Sequence, residues 1–272
     1  MKAHAHEFSV EKMAKLLKVS KSGYYAYLNR PPSTRAQENE AILKEIEAIY
    51  HEHKGVYGSP RIKKCLERKG IRCSRKRVAK LMKKEGLRAK TSKKKPLYKK
   101  FKGQVSPNLI KRDFEAEVPN EKWVSDITYI FTKEGTLYLA TVMDLFSKKI
   151  LAYSLDERMK AELVETALKK AYLRRGAPKG VIHHSDRGSQ YASHSFKELC
   201  LKLGIKQSMN SGSCYDNAAQ ESFFHSLKTE MVYLEDFKTK REAKMKIFEY
   251  IEGFYNRKRL HSTLGYLSGQ FN

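Results

Sequence analysis

Three acidic residues stand out by their local company: Asp126 in WVSDITYI, Asp186 in HHSDRGSQY and Glu221 in CYDNAAQESFFHSLKTE. Carboxylates gathered from distant points of a chain suit Mg²⁺, which takes oxygen ligands and prefers a few carboxylates, water and substrate phosphate to an all-protein cage. Two such ions can activate an attacking oxygen and stabilise the leaving one in an in-line displacement at phosphorus, so no covalent enzyme nucleophile is needed. Asp126, Asp186 and Glu221 are therefore the candidate catalytic and metal-binding residues, with Mg²⁺ as cofactor and Mn²⁺ as its substitute. Taken singly, each acid has a plainer explanation: Asp126 could cap a turn, Asp186 could pair with Arg187, and Glu221 could pair with Lys228. The combination of all three, each in its own word, favours the site.

The elements that must position these acids can be read from periodicity. Residues 123–131, 137–147 and 149–155 are rich in Val, Ile, Tyr, Thr and Phe and read as three consecutive strands, with turns marked by Gly135 and Ser147. A helix over 160–175 leads to a strand over 181–186, and a helix over 193–203 leads to a short strand near 206–210. Three strands followed by alternating helix and strand predict a mixed α/β sheet with helices. Asp126 then sits in a strand otherwise made of core residues, where an unpaired charge is costly. Asp186 closes a strand at the sheet edge where ligands of α/β proteins gather. Glu221 falls just inside a helix that starts near Asp216 or Asn217. Phe224, Leu227 and Met231 would bury one face of that helix and leave Glu221, His225 and Lys228 on another. His183 and His184 precede Asp186 in a buried strand, where packing is favoured over proton transfer. Asn210 to Cys214 reads as a loop beside the site.

Charge is distributed unevenly. Residues 1–112 carry 31 Lys and Arg against 9 Asp and Glu, a net of +22, whereas residues 113–272 carry 24 against 21, a net of +3. The front of the chain is the part built to meet a polyanion such as double-stranded DNA. It reads as helical: Met13, Leu16 and Leu17 at helical spacing, a restart after Ser20 or Ser22, and an end at Pro31 and Pro32. Ile42, Ile46 and Ile49 then form a stripe. Ser59 reads as the cap of the next helix, which Gly70 closes, and Ser74 as the cap of another, closed by Gly86. Arg75, Lys76 and Arg77 occupy the first turn of that last helix, where cations oppose the helix dipole unless a phosphate or base is near, so they are candidate DNA contacts. The proline-broken basic stretch TSKKKPLYKKFKGQ adds Lys93, Lys94 and Lys95 in a linker. The expected division is a short helix-turn-helix-like segment over 1–36, an all-helical basic DNA-binding domain over 37–88, the linker over 89–120, and a catalytic core with a C-terminal helix over 121–272.

Cys65, Cys73, Cys200 and Cys214 form no CxxC pair and no disulfide framework, which fits a reducing compartment. The chain has no signal peptide and no long apolar run, so the expected location is the bacterial cytoplasm, with the nucleoid and away from membrane.

The words WVSDITY, HSDRGSQY and CYDNAAQESFF..LKTE, followed by YNRKRLHSTLGY at 255–266, closely resemble the catalytic subunit, the second reading frame, of bacterial transposases of the insertion sequence three family, relatives of retroviral integrases. Asp186 and Glu221 have 34 residues between them, as that family's triad of two aspartates and a glutamate requires. The resemblance implies a ribonuclease H-like integrase core that cuts DNA to expose a 3′ hydroxyl and joins that hydroxyl to another strand. It also implies that Lys228 faces DNA from the helix of Glu221, that Arg187 lies beside the DNA, and that the chain works as a homo-multimer on transposon ends and target. An upstream-frame subunit, as fusion or partner, is implied too. Gly269 stands where the family usually has proline. Retroviral integrases carry a zinc module ahead of the core, but His51, His53, Cys65 and Cys73 have the wrong spacing for one. The competing function is a non-catalytic DNA-binding regulator or inhibitor of transposition. A nuclease for RNA hybrids is a third class, less suited to so basic an N-terminal half.

Overall fold

The computed structural model describes residues 1–90, 106–110, 113–210 and 218–268. Lys93, Lys94, Lys95, Cys214 and Gly269 lie outside the described residues, as does most of the expected loop from Asn210 to Cys214. The chain divides into two compact units, Met1–Arg88 and Ala89–Asn272.

In the first unit, α1 (Val10–Leu16) and α2 (Lys21–Asn29) are capped by Ser9 and Ser20, whose hydroxyls accept the orphan N–H groups of Lys12 and Gly23. Next come α3 (Thr34–Glu52), α4 (Ser59–Arg68) and α5 (Arg75–Lys84). The expected stripe of Ile42, Ile46 and Ile49 is buried with Ile62, Leu66, Val78 and Leu81, and this apolar contact holds the three helices together. Ser74 caps α5 as expected, through a bond from the Arg77 N–H. The cap of α4 differs from expectation. Gly58 takes that position with no side-chain bond, Ser59 is already helical, and Pro60 stands in the first turn, where its missing N–H costs no helical bond.

The second unit holds one five-stranded sheet in the order β3-β2-β1-β4-β5. β1 (Lys122–Thr132), β2 (Gly135–Asp144) and β3 (Ile150–Asp156) form an antiparallel meander, and β4 (Ile182–Ser185) and β5 (Lys206–Met209) run parallel to β1. Each parallel return needs a crossover helix: α6 (Ala161–Arg174) precedes β4 and α7 (His194–Leu203) precedes β5. Trp123, Val142, Leu163, Leu168, Phe196 and Met209 belong to one buried cluster between the sheet and these helices. After α8 (Ala218–Glu230), α9 (Lys240–Phe248) continues into a π-helical turn over Glu249–Tyr255. The mixed α/β sheet expected from the sequence is present, with strand bounds within a few residues of the expected ones.

The end of the expected linker is part of this unit. The Ser106 hydroxyl donates to Gln207 Oε1 at 2.9 Å, the Leu109 N–H donates to Ser208 Oγ at 2.9 Å, and Ile110 is buried. β5 is the last strand in the sheet, so its outer edge needs polar partners, and this segment supplies them.

Candidate active site

The register of the sheet brings the two aspartates together. β1 and β4 pair over three positions, ending at Val124 with His184. Asp126 and Asp186 each lie two residues beyond that pair, which puts both on the same face and at the same level. Asp126 opposes Thr141 on β2. Its Oδ1 accepts the N–H of Ile127 at 2.8 Å, and Asp186 Oδ1 accepts the N–H of Gly188 at 3.0 Å. Among the described residues no Lys, Arg or His forms an ion pair with either aspartate or with Glu221. Gly188 packs closely under the acid: a Cβ there would stand 3.0 Å from Asp186 Oδ1 and 3.1 Å from Gln190 Oε1, so a larger residue would press on the Asp186 carboxyl.

Electrostatics register the crowding. Burial first, then the Asp186 charge, holds the Asp126 carboxyl well above the usual carboxylate range; Glu221 adds to the rise, while the Ile127 N–H and Lys228 oppose it. Burial also raises Asp186, against the Gly188 N–H, and raises Glu221. Nearby, Tyr191 is buried and its hydroxyl has no hydrogen-bond partner among the described residues; burial and then the two aspartates raise its pKa above the usual tyrosine range.

Glu221 stands on the first turn of α8, exposed, and within electrostatic reach of Asp126. Phe224, Leu227 and Met231 are buried as expected, and His225 is exposed. Gln220, the neighbour of Glu221, is fully buried and donates from Nε2 to the hydroxyl of Thr141, the cross-strand partner of Asp126. Nothing in the sequence marked Gln220, because a glutamine at a helix start is ordinarily a surface residue. Among the described residues no three acidic, histidine or cysteine side chains close into a ready-made metal cage. The donor set is nevertheless of the kind a hard cation takes: carboxylate oxygens, partly exposed and without protein cations.

Lys228 is half-buried, and its ammonium lies 4.6 Å from the centre of the Tyr129 ring. Burial lowers its pKa below the usual lysine value, against the pull of Asp126. It does not pair with Glu221. Arg187 likewise does not pair with Asp186; its Nε donates to the Asn210 carbonyl at 2.8 Å, tying together the ends of β4 and β5. His183 is fully buried, hydrogen-bonded to Ser125 Oγ at 2.7 Å, and burial pushes it down to about 3, so it stays neutral and acts in packing. In the first unit, Arg75 and Lys76 are exposed on α5, whereas Arg77 reaches back to Asn39 and Glu38 on α3.

The far end of α8 is anchored by the C-terminal block YNRKRLHSTLGY. Arg259 donates to Glu230 from Nε and Nη2, at 2.8 Å at the closest, and from Nη2 to Ser226 Oγ at 2.8 Å; Tyr250 donates to Glu230 Oε2 at 2.8 Å. Asn256 pairs with both backbone groups of Ile150 at the start of β3, each at 2.9 Å.

The Integrase core domain family matches residues 116–213 and, in a second part, 221–271, and the HTH-like domain family matches residues 37–95. The transposase for insertion sequence element IS904 of Lactococcus lactis subsp. lactis is 44% identical over 244 residues, covering 89% of this chain and 96% of that protein. Transposase InsF for insertion sequence IS3A of Escherichia coli is 42% identical over 270 residues, covering 97% of this chain and 94% of that protein. The HTLV-2 integrase catalytic core domain, solved in complex with magnesium, is 18% identical and covers 56% of this chain and 95% of that one at a TM-score of 0.42.

Proposed function

The chain belongs to the insertion sequence three family of transposases, and from that premise we propose that Asp126, Asp186 and Glu221 are the catalytic triad that holds Mg²⁺, or Mn²⁺ in its place, as two ions. A transposase with an integrase core is a polynucleotidyl transferase, and its reaction on this reading is cleavage of double-stranded DNA to free a 3′ hydroxyl, followed by transfer of that hydroxyl to a target strand. The observation that carries the reading is the meeting of Asp126 and Asp186 at one level of the sheet, with Glu221 in reach and no cation paired to any of them. Bound there, Mg²⁺ would supply charge neutralisation at the attacking and leaving oxygens of the displacement.

The residues of the chain do the positioning. The Ile127 and Gly188 N–H groups each fix one oxygen of an aspartate, and the other oxygen of each would be left to hold the metal ion. Lys228 contributes positive charge beside the acids for the DNA backbone. Arg75 and Lys76, with Lys93, Lys94 and Lys95, meet phosphates away from the reaction, and Arg187 serves by holding the β4 and β5 ends around the site. The protein works as a homo-multimer that holds two transposon ends, with an upstream-frame subunit as fusion or partner, in the bacterial cytoplasm with the nucleoid. No helix among the described residues is long and apolar enough to cross a membrane.

The test is Asp186→Asn, assayed for nicking and strand transfer on matched element ends in Mg²⁺. The expected result is a loss of at least about a thousandfold in both, the scale of several kcal/mol of transition-state stabilisation, with DNA binding kept and the melting temperature no lower than that of the wild type. A folded variant that still cuts at the wild-type rate overturns the triad.

A further inference from the structure

On β1, just past Asp126, two aromatic rings stand in the open. Phe131 is 69% exposed and Tyr129 36% exposed, with ring centres 5.1 Å apart and planes tilted by 49°. Residues two apart on a strand project to one face, so the pair forms a continuous aromatic surface. β1 pairs with β4 only as far as Val124, so among the described residues no strand covers the β4 side of β1 along this stretch. A strand normally hides such rings, and an isolated exposed Phe calls for no explanation. Here, however, a cation completes the surface: the Lys228 ammonium sits 4.6 Å from the Tyr129 ring centre and is close enough to Asp126 to feel its charge.

We propose that Tyr129, Phe131 and Lys228 form a shelf that takes one unstacked nucleobase of the strand being processed, with the base lying on the rings and its phosphate on the ammonium. Aromatic faces beside a cation are the elements with which proteins hold single-stranded nucleic acid, because every base has a π-face and every nucleotide a charge. A second copy of this chain would be the other occupant of an apolar surface. Lys228 argues against it, since an apolar protein contact would desolvate the ammonium without adding a charge to it, whereas a nucleotide brings a phosphate for it beside the rings. The shelf also has a use: a base held off its stack there frees the adjoining phosphate from the duplex, and Lys228, which reaches both the Tyr129 ring and the field of Asp126, links the rings to the acids. The inference rests on the reading that Asp126, Asp186 and Glu221 act on DNA.

The experiment uses the full chain with a duplex element end in which single thymines near the cut are replaced, one at a time, by 5-iodouracil. Complexes are formed in Ca²⁺ to hold cleavage back, irradiated, and the crosslinked peptides are mapped; the same end is assayed for nicking and joining in Mg²⁺. Crosslinking to Tyr129 or Phe131 is expected from one base position, about tenfold weaker in Phe131→Leu and kept in Phe131→Trp. Ends with that base left unpaired should lose their dependence on Phe131. Phe131 is mostly exposed, so these variants fold. An active wild-type protein whose crosslinks fall elsewhere, or are unchanged in Phe131→Leu, overturns the shelf and leaves the triad standing. A shift in oligomeric state with Phe131→Leu and unchanged crosslinking shows a second copy on the rings and also overturns it. A wild-type protein that binds the end but neither nicks nor joins it fails at the triad, and the shelf falls with it.

Discussion

The two ends of α8 carry two acids in opposite circumstances. Glu230, at the last turn, has a side chain only 7% exposed and is gripped by Arg259 and Tyr250. Glu221, at the first turn, is exposed, has no cation paired to it among the described residues, and faces the neighbourhood of Asp126. A buried charge needs a partner, and Glu230 has one within the protein. At the other end the carboxyls of Asp126, Asp186 and Glu221 crowd together, offset only in part by Lys228 and two backbone N–H groups and with no ion pair among the described residues. The difference teaches that within one helix the satisfied acid is structural, while the unsatisfied acids await something the chain does not itself provide.

The comparison can be broken most forcefully at the satisfied end. Arg259→Met leaves Glu230 buried without the Arg259 guanidinium and should cost about 3–5 kcal/mol, the usual penalty for removing one member of a buried ion pair. Arg259→Met combined with Glu230→Met should recover most of that loss, less about 1 kcal/mol for the Tyr250 hydroxyl left without its acceptor. Urea denaturation of both variants measures this. A single variant that loses less than about 1 kcal/mol would make the ion pair incidental and remove the contrast.

A smaller effect of opposite sign is expected at the unsatisfied end. The folded state raises the Asp126 carboxyl above its unfolded value, so ionising it penalises folding, increasingly as pH rises past the ordinary carboxylate pKa of about 3.9. Below that pH both states are protonated and the penalty is absent. Asp126→Asn should therefore raise the melting temperature by a few degrees at neutral pH without divalent metal, and the gain should fade as pH drops toward 3.9. Mg²⁺ should stabilise the wild-type protein and not the variant. A variant that melts lower than wild type at neutral pH, in the absence of metal, would show the carboxylate to be structurally needed, like Glu230.

Much of this contrast was legible from residue types, and the rest depended on which groups pair across the fold. The strands around Asp126 and Asp186 follow from β-branched and aromatic runs, and the buried face of α8 from helical spacing. The words around the acids carried the family. The word around Asp126 singled it out, but residue type and strand position alone do not explain why Asp144, on the adjacent strand, is not part of the site. Asp144 is fully buried, yet its oxygens accept the N–H groups of Asn120 and Ser147 and the Ser147 hydroxyl, so its burial is already satisfied. Nor could the neighbour rule that pairs Asp186 with Arg187 see that the guanidinium turns to Asn210, because parallel pairing of β4 with β5 brings a carbonyl from 23 residues away. The role of YNRKRLHSTLGY was hidden for the same reason: Asn256 and Arg259 act on Ile150 and Glu230, and such pairings are set by packing rather than by local pattern. Tyr129 and Phe131 read as ordinary strand residues until the open edge of β1 was visible.

The finest test of the comparison lies at Gln220, which joins the two regions. Its Nε2 donates to Thr141, directly across the ladder from Asp126, while its Oε1 is buried without a partner among the described residues. Gln220→Leu would remove one neutral hydrogen bond, worth about 1 kcal/mol, and at the same time relieve an unpaired buried oxygen that costs a similar amount. Stability should thus stay within about 1 kcal/mol of wild type. The geometry should not be so forgiving: without the link, the turn bearing Glu221 is free to shift against the strand bearing Asp126, and misplacement on the order of 1 Å can cost up to about a hundredfold in rate. The expected outcome is a nicking rate several-fold to tenfold lower, with more Mg²⁺ needed for half-maximal rate, measured beside a urea melt of the same preparation. If stability instead falls by more than about 2 kcal/mol while the rate holds, Gln220 belongs with Arg259 among the residues that build the fold, and Glu221 takes its position from elsewhere.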